Sequence, residues 1–386
     1  MKKSLIAVAA LAAVSAASAQ SSVTLYGLLD IGYATSKTES RDGTASLRSR
    51  GLIEGQNAGN RIGFRGTEDL GGGLKANFVI EEAISPTSNN IYQRSGASGQ
   101  VIPLGTVAAA SQPVGFKTSF GTAAAPTNTN RQAYVGLSSA TMGTVNIGYQ
   151  YTIGYEISTL SGYNIGAEGV PGADRAHLHG VTSNNLVGGS RANGISYISP
   201  NFGGGFTVRA QYGSSGEARN FVSANSTTTT PFELRSNRYG LMGQYINGPI
   251  SVALGYSRLT TNGAAARLTQ LGGSYDFGVV KLAGTYNDGR TTAGGKLRSY
   301  QVGLSAPFGA LVPFVTVGKA INDTPSFVGG PRTEDAKQAQ VGVRYNLSKR
   351  TLAYAIHGQT KDDGGFANSL ASGKETRTVV GVQHSF

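Results

Sequence analysis

From Val23 onward, apolar and polar residues alternate with a period of two. Val23, Leu25, Gly27, Leu29, Ile31 and Tyr33 share one phase, and Thr24, Tyr26, Leu28, Asp30 and Gly32 share the other. Successive side chains of an extended chain point to opposite faces, so each such run predicts a strand with one apolar face. The pattern returns where Val145, Ile147, Tyr149 and Tyr151 alternate with Thr144, Asn146, Gly148 and Gln150. It returns again in Phe206, Val208, Ala210 and Tyr212 against Thr207, Arg209 and Gln211, and in Val341, Val343, Tyr345 and Leu347 against Gln340, Gly342, Arg344 and Asn346.

A soluble sandwich would crowd its inner phase with Leu, Ile and Phe. Here the polar phase carries Gly, Ser, Thr, Asn and Gln, which suits a wall between lipid and water. Aromatic residues recur at strand ends (Tyr33, Phe78, Tyr151, Tyr212, Tyr286, Tyr345 and Phe386), where an outer-membrane barrel places its aromatic girdles. Short turns are legible at 69–72, 140–143, 201–204, 247–249, 277–279, 308–310 and 348–350. Longer polar stretches lie between them, at 37–57, 85–129, 152–190, 214–235, 260–266, 288–295, 322–335 and 361–374. The pattern predicts an all-β fold: a transmembrane antiparallel β-barrel of about 16 strands of roughly 10 residues, with short periplasmic turns and long extracellular loops. The strand after Ser22 must pair with the strand ending at Phe386, because unpaired edge groups in lipid cost several kcal/mol each.

Residues 1–19 stand apart. Lys2 and Lys3 precede a short apolar run, and Ala17-Ser18-Ala19 supplies a small-x-small cleavage pattern. This segment reads as a secretory signal peptide cleaved after Ala19, leaving 20–386 as a single barrel domain. Removing the two lysines lowers the net charge from +12 to +10, so the remainder stays basic. No later run reaches the roughly 18 uninterrupted apolar residues of a membrane-spanning helix.

Composition narrows the chemistry. The chain has 56 Gly, no Cys and four His, which excludes disulfide frameworks, thiolate metal cages and a Cys nucleophile. Its cations are dispersed, without a helical or aromatic reading motif, so no nucleic-acid partner is expected. No Gly-x-Ser-x-Gly, His-Glu-x-x-His or Walker loop occurs, and no enzyme activity, cofactor or metal is expected. His177 and His179 lack a third ligand and read as a loop coincidence.

The phases select candidate pore-lining residues. If Ile62 and Phe64 face lipid, Arg61 and Arg65 face the lumen; the same argument turns Lys75, Asn77 and Glu81 inward, and Asp30, Arg209 and Arg344 follow their own alternation. Arg131 shares phase with Ala133 and Val135 but lies at a strand end, where it can turn inward. Cations lining a narrow water path act strongly on ions because the low-dielectric wall focuses their field.

Four segments resemble a known family, the trimeric general porins of betaproteobacteria and their neisserial relatives. They are Ser22-Val23-Thr24-Leu25-Tyr26-Gly27, the run from Asn60 through Arg61-Ile62-Gly63-Phe64-Arg65 to Lys75, the run from Arg131 to Leu137, and Val380 to Phe386. The resemblance implies a homotrimer in outer-membrane lipid and lipopolysaccharide. It also implies that Phe386 is the terminal signal read by the outer-membrane barrel assembly machinery. It further implies that loop 152–190 folds into the barrel, with Glu156, Glu168 and Asp174 opposite Arg61 and Arg65. Two positions depart from the family: a lumenal Arg is Ser196 here, and the Arg between a Gly and a Gln is Tyr149. Both changes weaken anion selectivity.

The leading expectation is a water-filled pore for passive diffusion of small hydrophilic solutes and ions, modestly selective for anions. Two alternatives stay open: a barrel-anchored surface adhesin or receptor, and a substrate-specific channel.

Overall fold

Runs of Val, Ile, Tyr and Thr punctuated by Gly, Asn and Asp favour antiparallel hairpins. The computed structural model describes residues 22–40, 43–44, 46–87, 130–160, 165–171, 190–218, 234–261, 263–292, 294–322, 325–326, 330–331, 334–362 and 372–386. In chain order the elements are β1 (Ser22–Ser40), β2 (Ser46–Glu54), β3 (Arg61–Gly71), β4 (Leu74–Ala83), β5 (Asn130–Ser139), β6 (Gly143–Tyr151), α1 (Ile153–Leu160), β7 (Arg191–Ile198), β8 (Phe206–Ala218), β9 (Leu234–Asn247) and β10 (Ile250–Thr261). Then follow β11 (Ala264–Asp276), β12 (Lys281–Thr291), β13 (Lys296–Ser305), β14 (Leu311–Asn322), β15 (Pro325–Ser326), β16 (Gly330–Pro331), β17 (Glu334–Asn346), β18 (Thr351–Asp362) and β19 (Ser372–Ser385).

Seventeen of these strands form one antiparallel sheet that closes on itself where β1 meets β19. The seam begins at Leu28 opposite Ser385, and Gly27 and Phe386 exchange both backbone hydrogen bonds, at 3.0 and 3.1 Å. The seventeen strands fill sixteen positions, because β2 pairs with the upper half of β1 and β3 with its lower half. The second barrel strand is thus broken at 55–60. Asp30 holds this break: one carboxylate oxygen accepts the backbone N–H groups of Asn57 and Ala58, at 2.6 and 2.9 Å, and the other accepts the Tyr354 hydroxyl at 2.6 Å.

All seven expected short turns join adjacent strands. The turn at 72–73 needs glycine, since Gly72 sits at φ 60°, where a side chain is strained. Six of the eight long stretches are shorter than expected, while 85–129 and 152–190 lie wholly between strands, as expected. The barrel strands run from 8 to 19 residues rather than roughly 10, and much of 37–57 is the hairpin of β1 and β2. Backbone pairing continues upward there because Thr35 to Glu39 keep register with Ser46 to Arg50.

Outward-phase residues remain exposed, among them Val23, Leu52, Val135, Leu254, Tyr212, Tyr286 and Tyr345. They form the apolar belt and aromatic girdles of a bilayer-spanning wall. Tyr151 is a correction. It stacks on Tyr155 of α1 with ring centroids 4.2 Å apart, drawn from the girdle by the segment that follows it. No described helix is long and apolar enough to cross a membrane; the strands make the crossing.

Candidate functional site

The site is the interior of the barrel, built by inward-phase side chains and by residues 153–160 and 165–171. On β3, Arg61 and Arg65 alternate with Ile62 and the exposed Phe64, so both face the lumen; on β4, Lys75, Asn77 and Glu81 share the inward phase. The Arg65 guanidinium lies 5.2 Å from the ring centroid of Tyr26, whose hydroxyl donates to Glu81 at 3.0 Å. Asn77 donates to Asn146 across Gly136 at 3.2 Å, and a side chain at Gly136 would meet that bridge. No described acid lies within ion-pair distance of Arg61, Arg65 or Lys75.

Arg131 turns inward because the ladder bulges beside it. Glu81 pairs with Gln132 and Glu82 with Asn130, which leaves Arg131 opposite no residue and reverses its phase. Its Nε donates to Glu81 at 2.6 Å, and its Nη2 donates to the Tyr151 hydroxyl at 3.2 Å. Both ends of the ion pair are buried.

Beyond Tyr151 the chain enters the barrel. Ile153 and Ile157 lie four apart on one face of α1 and pack on Met242 and Ala253, inward residues of β9 and β10. The fit depends on Gly240 and Gly255, where a Cβ would run into Ile153 and Ile157. Glu156 is ion-paired with Arg209, which also donates to the Gln150 side chain at 3.3 Å and the Tyr151 carbonyl at 3.2 Å. Glu156 therefore meets Arg209 rather than Arg61 or Arg65. Ser196, standing where the resembled family has Arg, donates to the same Gln150 oxygen at 2.6 Å.

Residues 165–171 cross to the opposite wall. Ile165, Ala167 and Val170 pack with Phe314, Tyr354, Ile356 and Val379, inward residues of β14, β18 and β19. Arg344 donates to the carbonyls of Ile165 and Gly166, at 2.8 and 2.7 Å, and to Asn57 at 2.8 Å, with Phe314 beneath its guanidinium. Gln340 accepts the Ala167 N–H at 2.7 Å and donates to the Val170 carbonyl at 3.1 Å. Arg377 donates to the carbonyl of Gly169 at 2.7 Å and to Gln56 at 2.9 Å. Glu168 takes the backbone N–H of Gly59, so it too is occupied within the wall instead of facing Arg61. Gly358 lets this segment approach, since a side chain there would strike the Pro171 carbonyl.

Asp30 is inward, as its phase requires, but is spent on the strand break. Asp174, His177 and His179 lie outside the described residues, as do residues 1–19 and most of 85–129. Sequence reasoning missed Arg377, Gln340 and Asn57. The alternation of Arg377 with Val380 and Val382 could have marked it as inward; nothing local marks Asn57, whose place depends on the strand break. The arrangement offers charge, hydrogen bonding and a bounded water path. The described residues hold no group of three His, Cys, Asp or Glu able to bind a metal ion.

The profile of a family described as Gram-negative porin matches residues 7–365. The chain is 33% identical to outer membrane porin protein 32 of Delftia acidovorans and 31% identical to an outer membrane porin protein of Bordetella pertussis, each alignment covering all of both chains. Among solved structures, the anion-selective porin from Comamonas acidovorans is similar with a TM-score of 0.64 and 26% identity, over 95% of this chain and 100% of that one.

Proposed function

Since the chain belongs to the Gram-negative porin family and forms an outer-membrane channel, we propose that it passes small hydrophilic solutes by diffusion with a modest preference for anions. One observation carries the preference: Arg61 and Arg65 face the lumen with no described acid in ion-pair distance, whereas Lys75 stands opposite Asp69. The acids that could offset them are engaged elsewhere, Glu81 by Arg131, Glu156 by Arg209 and Glu168 by the Gly59 N–H. Two unbalanced cations in a low-dielectric wall raise the local concentration of anions. The Comamonas relative, described as anion-selective, supports the same sign. Ser196 moderates the preference, being neutral at a lumenal position.

In this reading residues 153–160 and 165–171 narrow the water path, since a barrel of about 16 strands leaves a lumen wider than one small solute. Residues 1–19 direct export and are removed. Three copies assemble in the outer membrane, and Phe386 is the signal for barrel assembly. Transport is its whole activity, and no catalytic step is assigned to it. The test is bilayer conductance under a salt gradient. A stepwise conductance with a small reversal potential of anionic sign is expected; a cationic sign would overturn the selectivity, and absence of conductance would overturn the open pore.

A further inference from the structure

Three inward rows of residues cross the lumenal wall between β11 and β19, and they differ in how their polar groups are met. In the row nearest the short turns, Gly303, Thr316, Gln340, Gly358 and Arg377 each stand directly opposite the next. This row carries residues 165–171, to which Gln340 and Arg377 are hydrogen-bonded. The row nearest the long loops satisfies itself: Gln270 donates to Asn287 at 3.0 Å, and Asn287 donates to Ser299 at 3.0 Å. Its continuation is apolar, with Ala320 and Ala336 packed beside Leu297.

Between these two lies a row made of Thr285, Gln301, Gly318, Gln338 and Thr360, again directly opposite one another. Gln301 and Gln338 are only 1% and 6% exposed. Yet among the described residues neither the oxygen nor the nitrogen of either carboxamide has a partner, and nor does the Thr360 hydroxyl. Burying a donor or acceptor unmatched forfeits its hydration, and here the unmatched groups lie side by side. Gly318 places no side chain between the two carboxamides, whose strands stand two interstrand spacings, roughly 10 Å, apart. It is half-buried, whereas Gly303 and Gly358 of the neighbouring row are buried against Ile165 and Pro171. The middle row therefore opens to the lumen at Gly318, on the long-loop side of residues 165–171. It is also neutral, because Glu375, opposite Thr360, is ion-paired with Arg377.

We propose that this row is a binding subsite for a small neutral polyol, a sugar or sugar alcohol, an inference that deepens the diffusion reading and rests on it. Each carboxamide presents an acceptor and a donor in one plane, which complements a vicinal diol, since every hydroxyl both donates and accepts. A gap of roughly 10 Å takes one such molecule between Gln301 and Gln338, with the Thr360 hydroxyl at its edge. An anion gains nothing here, because the row has no cation to offset the loss of its hydration. Its partners are Arg61 and Arg65 on β3. An apolar solute would leave the amides unmatched.

The test titrates the full chain with sorbitol in lauryldimethylamine oxide micelles, which carry no sugar, and follows binding by saturation-transfer NMR. Sorbitol should bind, and tetraethylene glycol dimethyl ether, which accepts hydrogen bonds but cannot donate them, should not displace it. Replacing Gln301 and Gln338 with Met, close in size but without the amide, should weaken sorbitol about tenfold or more. Gly243→Ala on β9 should bind it as the parent does. If the double variant does not fold, Gln338→Met alone should weaken binding about threefold or more. Binding unchanged by these substitutions overturns the proposal. So does the absence of a sorbitol signal in the parent, which would leave water as the row's partner, or displacement by the ether, which would mark indiscriminate filling of the lumen. A parent that binds sorbitol without conducting in a bilayer counts against the diffusion reading alone; one that conducts without binding sorbitol counts against the subsite alone.

Discussion

Arg131 donates its Nε to the Glu81 carboxylate at 2.6 Å, with the two side chains only 3% and 5% exposed. A β-bulge brings them together, and the pair turns one lumenal cation and one lumenal anion into a neutral unit. Removing one partner of a buried pair strands the other charge, which costs about 3–5 kcal/mol. Glu81→Gln should therefore lower the thermal unfolding midpoint of the barrel, and it should make the channel more anion-selective by uncovering Arg131. Unfolding followed by circular dichroism, with reversal potentials on the same preparation, checks both; a more cation-selective channel would show that Glu81 does not act through Arg131.

Arg61 and Arg65 should set the sign of selectivity because no described acid balances them. Exchanging both for Gln should move the reversal potential toward cations, most clearly at low salt, where the screening length lengthens from about 10 Å at 0.1 M to about 30 Å at 0.01 M. A shift independent of ionic strength would point to altered pore shape instead of charge.

The hold on residues 165–171 depends on Arg344 and Gln340. Each charged hydrogen bond contributes about 1.5–3 kcal/mol, so replacing both residues with Ala should release the segment without opening the barrel seam. Single-channel conductance should rise and flicker, and larger neutral polymers should enter. Polymer-exclusion measurements decide it: an unchanged cut-off would mean that the segment does not limit the pore.

Closure of the barrel packs the Phe386 ring over Gly27, where any Cβ would meet the ring and the Arg61 carbonyl. Gly27→Leu should reduce the yield of folded barrel and its heat resistance. Gly243→Ala, where nothing lies within 4 Å of the added methyl, should leave both unchanged. Heat-modifiable gel mobility separates the two outcomes, and equal behaviour would remove the seam from the list of weak points.

The one-dimensional pattern determined what depends on near neighbours. A strand exposes alternate faces whatever surrounds it, so the inward phases of Arg61, Arg209 and Arg344 and the outward phases of Tyr212 and Tyr345 were legible from two-residue alternation. The short turns were legible because glycine, asparagine and aspartate at their tips act within four residues. Even the closure of β1 on β19 followed, since lipid tolerates no open edge. Tertiary structure decided the rest. The strand break at 55–60 is held by Asp30 and Tyr354, residues 324 positions apart, and the inward turn of Arg131 needs a ladder register that only β4 supplies. Glu156 found Arg209, and the carbonyls of 165–170 found Arg344, Gln340 and Arg377, through the lumen of a barrel already closed. Alternation assigns a side chain to a face; which partner it meets there is set by strand shear and by the path of an irregular segment, and neither has a period that a sequence can display.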